Sequence, residues 1–201
     1  MKTTLITIGV CLALALASVG QTSSTNQSGS TMTTPSAAPN QQNRGQLSPS
    51  GVDRIIKEVH HELVLQPYYS VFDNLAYKVT PDGTVTLMGQ VVDPTLKSSA
   101  ESAVKHIEGV TRVDNQIEVL PTSPNDDQIR RATYRAIYGN DVLRPYSLRA
   151  VPPIHIIVKN GHVTLDGVVA RAMDKQIADT QAKSVPGVFS VEDNIQVENS
   201  H

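Results

Sequence analysis

The chain has 201 residues and a formal net charge of −2, enough for one or two domains and too balanced for general nucleic-acid binding. Tryptophan is absent and aromatic residues are few, so any core must be built mainly from Val, Ile, Leu and Ala. The one cysteine, Cys11, lies within the first twenty residues and leaves the remainder without an internal disulfide or thiolate metal site.

Lys2 precedes an uncharged apolar run from Leu5 to Val19, short of the roughly 20 residues a membrane span needs. Ala15-Leu16-Ala17 and Ser18-Val19-Gly20 both suit a signal peptidase, so residues 1–20 are expected to be a secretory signal peptide. Val10 before Cys11 does not suit lipidation. Residues 21–50 change to Ser, Thr, Gln, Asn and Pro, a composition that buries too little apolar surface to order itself and is expected to form a disordered linker.

A helix is expected next. Ile55, Val59 and Leu63 recur every four residues behind Asp53 as its cap. A long connection, containing Leu65, Pro67, Tyr68, Tyr69, Val71 and Phe72, leads to a strand through Leu75–Val79. Pro81-Asp82-Gly83 turns the chain into a second strand, in which Val85, Leu87, Gly89 and Val91 alternate with period two. Asp93-Pro94 starts a second helix with Leu96, Ala100, Val104 and Ile107 as its buried stripe, ended by Gly109, and a last strand spans Val113 to Val119. After the proline-braced joint Pro121–Asp126 the order repeats. A helix opens at Asp127 and carries Ile129, Thr133 and Ile137. Ile154–Val158, Val163–Val169, a helix with Ile177 or Ala178, Ala182 and Val185, and Val191–Val197 follow.

The repetition extends to individual residues. Gly83-Thr84-Val85-Thr86-Leu87-Met88-Gly89 returns as Gly161-His162-Val163-Thr164-Leu165-Asp166-Gly167, a shift of about 78 residues. Glycines and aliphatic residues persist, whereas side chains that could do chemistry do not. The expected fold is α/β (an α+β sandwich): two tandem α-β-β-α-β domains at 51–121 and 126–198, each a three-stranded mixed sheet covered by two helices. Gly89 and Gly167 are expected to let a helix pass close to the sheet.

Motifs for catalysis are missing. His60 and His61 point about 100° apart on a helix and lack a ligand partner four residues away. His155 suits a satisfied core position, and Asp126-Asp127 a helix start favoured by the dipole. There is no nucleophile elbow, phosphate loop, zinc signature or Gly-x-x-Gly loop, so neither enzymatic activity nor a cofactor is expected. Two surfaces remain. Arg130, Arg131, Arg135 and Arg144, interleaved with Tyr134, Tyr138 and Tyr146, suit anionic lipid headgroups, or else form a solvated face whose tyrosines pack between domains. Leu65, Pro67, Tyr68, Tyr69 and Phe72 either pack over the sheet or against copy two, or dock a partner.

The pattern Val-x-Leu-x-Gly-x-Val, a helix ending in Gly-Val, then Val-x-x-x-Ile-x-Val, occurs twice in order and resembles the BON domain, a bacterial osmotically-inducible and nodulation module. The resemblance covers about Asp53 to Val119 and Asp127 to Val197. It implies a periplasmic or envelope-associated protein that binds phospholipid membranes or envelope partners under osmotic or membrane stress, with no catalytic residues.

Overall fold

A computed structural model describes residues 6–7 and 46–198. The expected signal peptide, apart from Ile6–Thr7, and the expected linker up to residue 45 lie outside the described residues. Ile6–Thr7 forms β1. Copy one then runs α1 (Pro49–Val64), β2 (Asn74–Val79), β3 (Thr84–Val91), α2 (Pro94–Lys105), β4 (Arg112–Asn115) and β5 (Glu118–Val119). Copy two runs α3 (Pro124–Tyr138), a short 3-10 turn (Arg144–Leu148), β6 (Ile154–Lys159), β7 (His162–Val169), α4 (Ala172–Lys183) and β8 (Ser190–Val197).

Each copy has the expected order and a mixed sheet. β3 pairs antiparallel with β2 and parallel with β4 and β5, and β7 pairs antiparallel with β6 and parallel with β8. The helices bury the expected stripes: Ile55, Val59 and Leu63 on α1, and Leu96, Ala100 and Val104 on α2. With Leu75, Tyr77, Val85, Leu87 and Val91 from the strands they close the first core. Ile129, Ile137, Ile154, Ile156, Val158, Leu165, Ala178 and Ala182 belong to the second. Leu87 and Leu165 thus occupy matching places in separate cores.

Both opening helices start earlier than expected. Ser48 caps α1 by accepting from the Gly51 N–H at 3.2 Å, and Ser123 caps α3 by accepting from the Asp126 N–H at 3.2 Å. Proline at the first helical position follows each serine, because its missing N–H is one the helix leaves unpaired anyway. Asp126 and Asp127 stand in the first turn of α3, as expected, and Asp126 is in addition a buried clasp. Its carboxylate accepts from the Asn160 and Gly161 N–H groups at 2.9 and 2.8 Å and pins the β6–β7 turn. The last strand of copy one is broken where expected to be continuous. Regular strand geometry lapses at Gln116 and Ile117, although Gln116 still donates to the Leu87 carbonyl at 2.8 Å.

The two strand glycines answer to a different neighbour than the one expected. Gly89 and Gly167 have φ of +113° and +139°, and a β-carbon on either would overlap a carbonyl oxygen of the adjacent strand's start, Asn74 or Pro153. The close approach is strand to strand, not helix to sheet. Replacing Gly89 or Gly167 by Ala combines left-handed strain with this overlap and should cost more than about 2 kcal/mol in urea denaturation; a loss below about 0.5 kcal/mol would refute the reading.

Candidate functional site

The helix-free faces of the two sheets meet. Asn74 Nδ2 donates to Asp166 Oδ2 at 2.9 Å, Lys159 Nζ lies 2.5 Å from Glu118 Oε1, and Leu120 and Ile157 are buried without belonging to either core. The half-exposed Lys159–Glu118 pair adds at most about 1 kcal/mol. A larger contribution comes from the connection between α1 and β2. Asp73 is buried and accepts from the Ser70 N–H (3.0 Å), the Ser70 hydroxyl (2.6 Å) and the Val92 N–H (2.8 Å). That tight turn projects Val71 and Phe72 into copy two. The Val71 carbonyl accepts from the Ile156 N–H at 2.8 Å, on the outer edge of β6, and its side chain joins the second core, worth on the order of 1.5–2 kcal/mol. Phe72 meets Tyr134 edge to face at 6.1 Å. In return Val151, which occupies in copy two the place of Phe72, packs on the first core.

The exchange brings the two predicted surfaces together. Tyr69, Ser70, Val71 and Phe72 form one wall of a groove of about 440 Å³, and Arg131, Tyr134 and Arg135 form the other, over Ala150 and Pro152. Arg131 and Arg135, one turn apart on α3, are exposed and have no ion-pair partner among the described residues. Two cations thus flank an aromatic pair.

Other predicted residues have different work. Arg130 is only 3 % exposed. Its Nη2 donates to the Val158 carbonyl at 2.7 Å and its Nη1 to Asp127. Tyr138 is buried, donating to the Ile154 carbonyl at 2.7 Å and accepting from the Ile154 N–H at 3.0 Å; burial pushes its phenol up, so it stays neutral and can do both. Neither can reach a ligand in solution, because both seal the free edge of β6. Arg144 is exposed and paired with Asp141. The Tyr146 hydroxyl donates to Asp174 at 2.8 Å and accepts from the Ala170 N–H at 2.9 Å. Of the partner-docking candidates, Tyr69 is buried and Phe72 half-buried at the junction. Leu65, Pro67 and Tyr68 remain exposed.

Sequence reasoning placed His155 in a core. It lies instead at the junction, its ring stacked on Tyr69 with centroids 5.5 Å apart and Nε2 3.4 Å from the Tyr69 hydroxyl. With His60, Tyr146 and Arg149 it lines a second cavity of about 200 Å³. Among the described residues no group of three His, Cys, Asp or Glu side chains is placed to hold a metal, and no helix is long and apolar enough to cross a membrane.

The sequence model of the BON domain matches residues 52–121 and again 125–199. The chain belongs to the BON domain family. No curated protein matches it. Among solved structures, CdsD, a structural protein of the Type III secretion system of Chlamydia trachomatis, is 12% identical, with 74% of this chain and 94% of that one covered and a TM-score of 0.30. The C-terminal domain of CdsD is also 12% identical, with coverages of 72% and 98% and a TM-score of 0.29. At such scores the likeness carries no argument. The family match and the repeat agree that this BON chain is a tandem.

Burial holds His155 below its ordinary value of 6.5, so the junction accommodates the neutral ring. The unfolded chain takes up that proton near 6.5 and the folded chain only at lower pH. His155 therefore contributes fully above 6.5 and loses its contribution as pH falls below it. His60, also lowered by burial, acts in the same sense. Asp73 and Asp166, raised by burial from 3.8, act in the opposite sense, losing stability as pH rises through the window above 3.8. Urea midpoints at pH 7.5 and 5.5 should differ less in His155→Phe than in the parent; an identical difference would contradict this assignment.

Proposed function

We propose that this tandem BON protein is exported to the periplasm or envelope and binds anionic phospholipid surfaces there, without catalysis, in envelope maintenance or osmotic stress. The observation that carries the reading is the groove in which Arg131 and Arg135, exposed and without an ion-pair partner among the described residues, flank Phe72 and Tyr134. Guanidinium groups fork onto phosphate oxygens, and the aromatic rings between them suit the boundary between headgroup and acyl chain. The signal-peptide reading of residues 1–20 and the family's envelope association support the location. Arg130 and Tyr138 drop out of the ligand set and Arg144 is neutralised by Asp141, so the cationic surface is narrower than the sequence suggests.

An envelope protein-interaction scaffold is the second reading. Leu65 and Tyr68, 63% and 55% exposed just after α1, favour it. The docking surface is then Leu65, Pro67 and Tyr68, since Tyr69 and Phe72 are engaged with copy two.

Co-sedimentation with liposomes separates the two. Binding to anionic vesicles should fall with added salt, and at least about tenfold in the Arg131→Ala/Arg135→Ala double variant, while Leu65→Ser/Tyr68→Ser binds as the parent does. Arg130→Ala should instead lower stability by about 2–3 kcal/mol, because the Val158 carbonyl loses a buried charged donor. Equal binding to neutral vesicles, or none to anionic ones, would remove the lipid reading.

A further inference from the structure

The two copies treat their outer strands differently. In copy two four outward-facing backbone groups of β6 are taken: Tyr138 bonds both the N–H and the carbonyl of Ile154, the Val71 carbonyl accepts from Ile156, and Arg130 donates to the Val158 carbonyl. The equivalent strand of copy one is β2, in which Leu75, Tyr77 and Val79 match Ile154, Ile156 and Val158 by their pairing with Gly89, Leu87 and Val85. Their polar groups also face outward. The Leu87 carbonyl accepts from the Gln116 N–H on the far side of β3, so the Leu87↔Tyr77 pair has no hydrogen bonds between its own members.

The sealing groups are not repeated. Ile55 and Ile129 each lie under the glycine that ends the next helix, Gly109 or Gly187, which fixes the correspondence of α1 and α3. By that correspondence Ile56 stands where copy two has Arg130, and Val64 where it has Tyr138. Two aliphatic side chains replace two hydrogen-bonding caps. Among the described residues, what reaches this edge is Ile6–Thr7, pairing antiparallel with Tyr77 and Ala76.

We infer that the outer edge of β2 is a strand-addition site. It takes an extended segment of a partner protein in antiparallel register, with an apolar residue opposite Tyr77, in the place that Ile6–Thr7 occupies here. An unpaired strand edge offers a row of donors and acceptors to an incoming chain, and neighbouring apolar side chains select what it carries. Copy two shows the same mode within one molecule, where Val71 docks on β6. The inference is separate from lipid binding, which uses the groove beside α3.

The experiment is residue-resolved hydrogen exchange on the full chain and on the chain beginning at Gln21, which keeps every described residue of both cores. In the shortened chain the Tyr77 amide should exchange at least about 100-fold faster than that of Ile156. A saturating synthetic peptide with the sequence of residues 4–9, Thr-Leu-Ile-Thr-Ile-Gly, should slow Tyr77 at least about tenfold and leave Ile156 unchanged. The same peptide N-methylated at the residue matching Ile6 should do nothing. Protection of Tyr77 in the shortened chain without peptide would overturn the proposal. So would protection that grows with protein concentration, the sign of a second copy on the edge, or a peptide without effect.

Discussion

The outer edge of β6 is the constraint from which the rest of this molecule follows. A strand at the border of a three-stranded sheet leaves backbone donors and acceptors unpaired, and burying them unpaired costs about 1–3 kcal/mol each. Copy two answers with a tyrosine hydroxyl, an arginine and a carbonyl borrowed from copy one. The borrowed carbonyl requires the α1–β2 connection to be long, to turn tightly around Asp73, and to carry an apolar side chain at Val71. A domain of about 70 residues has little stability to spare, so insertion into a neighbour's core is a large part of what holds each copy folded.

The candidate ligand surface is a by-product of the same arrangement. Because Val71 and Phe72 are drawn over α3, the groove beside Arg131 and Arg135 has an aromatic wall that copy two alone does not provide. The helix divides its arginines by direction. Arg130 points at the strand edge and is consumed in sealing it, whereas Arg131 and Arg135 are exposed. Three arginines within six residues therefore do two different physical jobs.

Much of this was legible in the chain. The repeat located both cores to the residue: Ile55, Leu87 and Val104 in one, Ile129, Leu165 and Ala182 in the other. Periodicity and glycine-marked turns report local geometry, and local geometry dominates elements this regular. What stayed hidden was the contact between copies. Nothing in the periodicity of α3 says which of Arg130, Arg131 and Arg135 faces a strand edge, since arginine is read as solvated by default. The Ser48-Pro49 and Ser123-Pro124 pairs are readable helix starts, whereas the expected openings, Asp53 and Asp127, lie about one turn further in. The clasp of Asp126 and the close neighbour of Gly89 stayed hidden for one reason: each touches a backbone group brought near by the sheet, not by sequence.

If loop exchange makes the two copies one cooperative unit, it should appear in native-state hydrogen exchange of the Leu87 and Leu165 amides followed across increasing urea. The two amides, one in each core, should merge onto a single unfolding isotherm, and Val71→Gly should split it, with Leu165 exchanging first. Separate isotherms in the parent chain would contradict the account, because they would mean each copy folds without the other's loop.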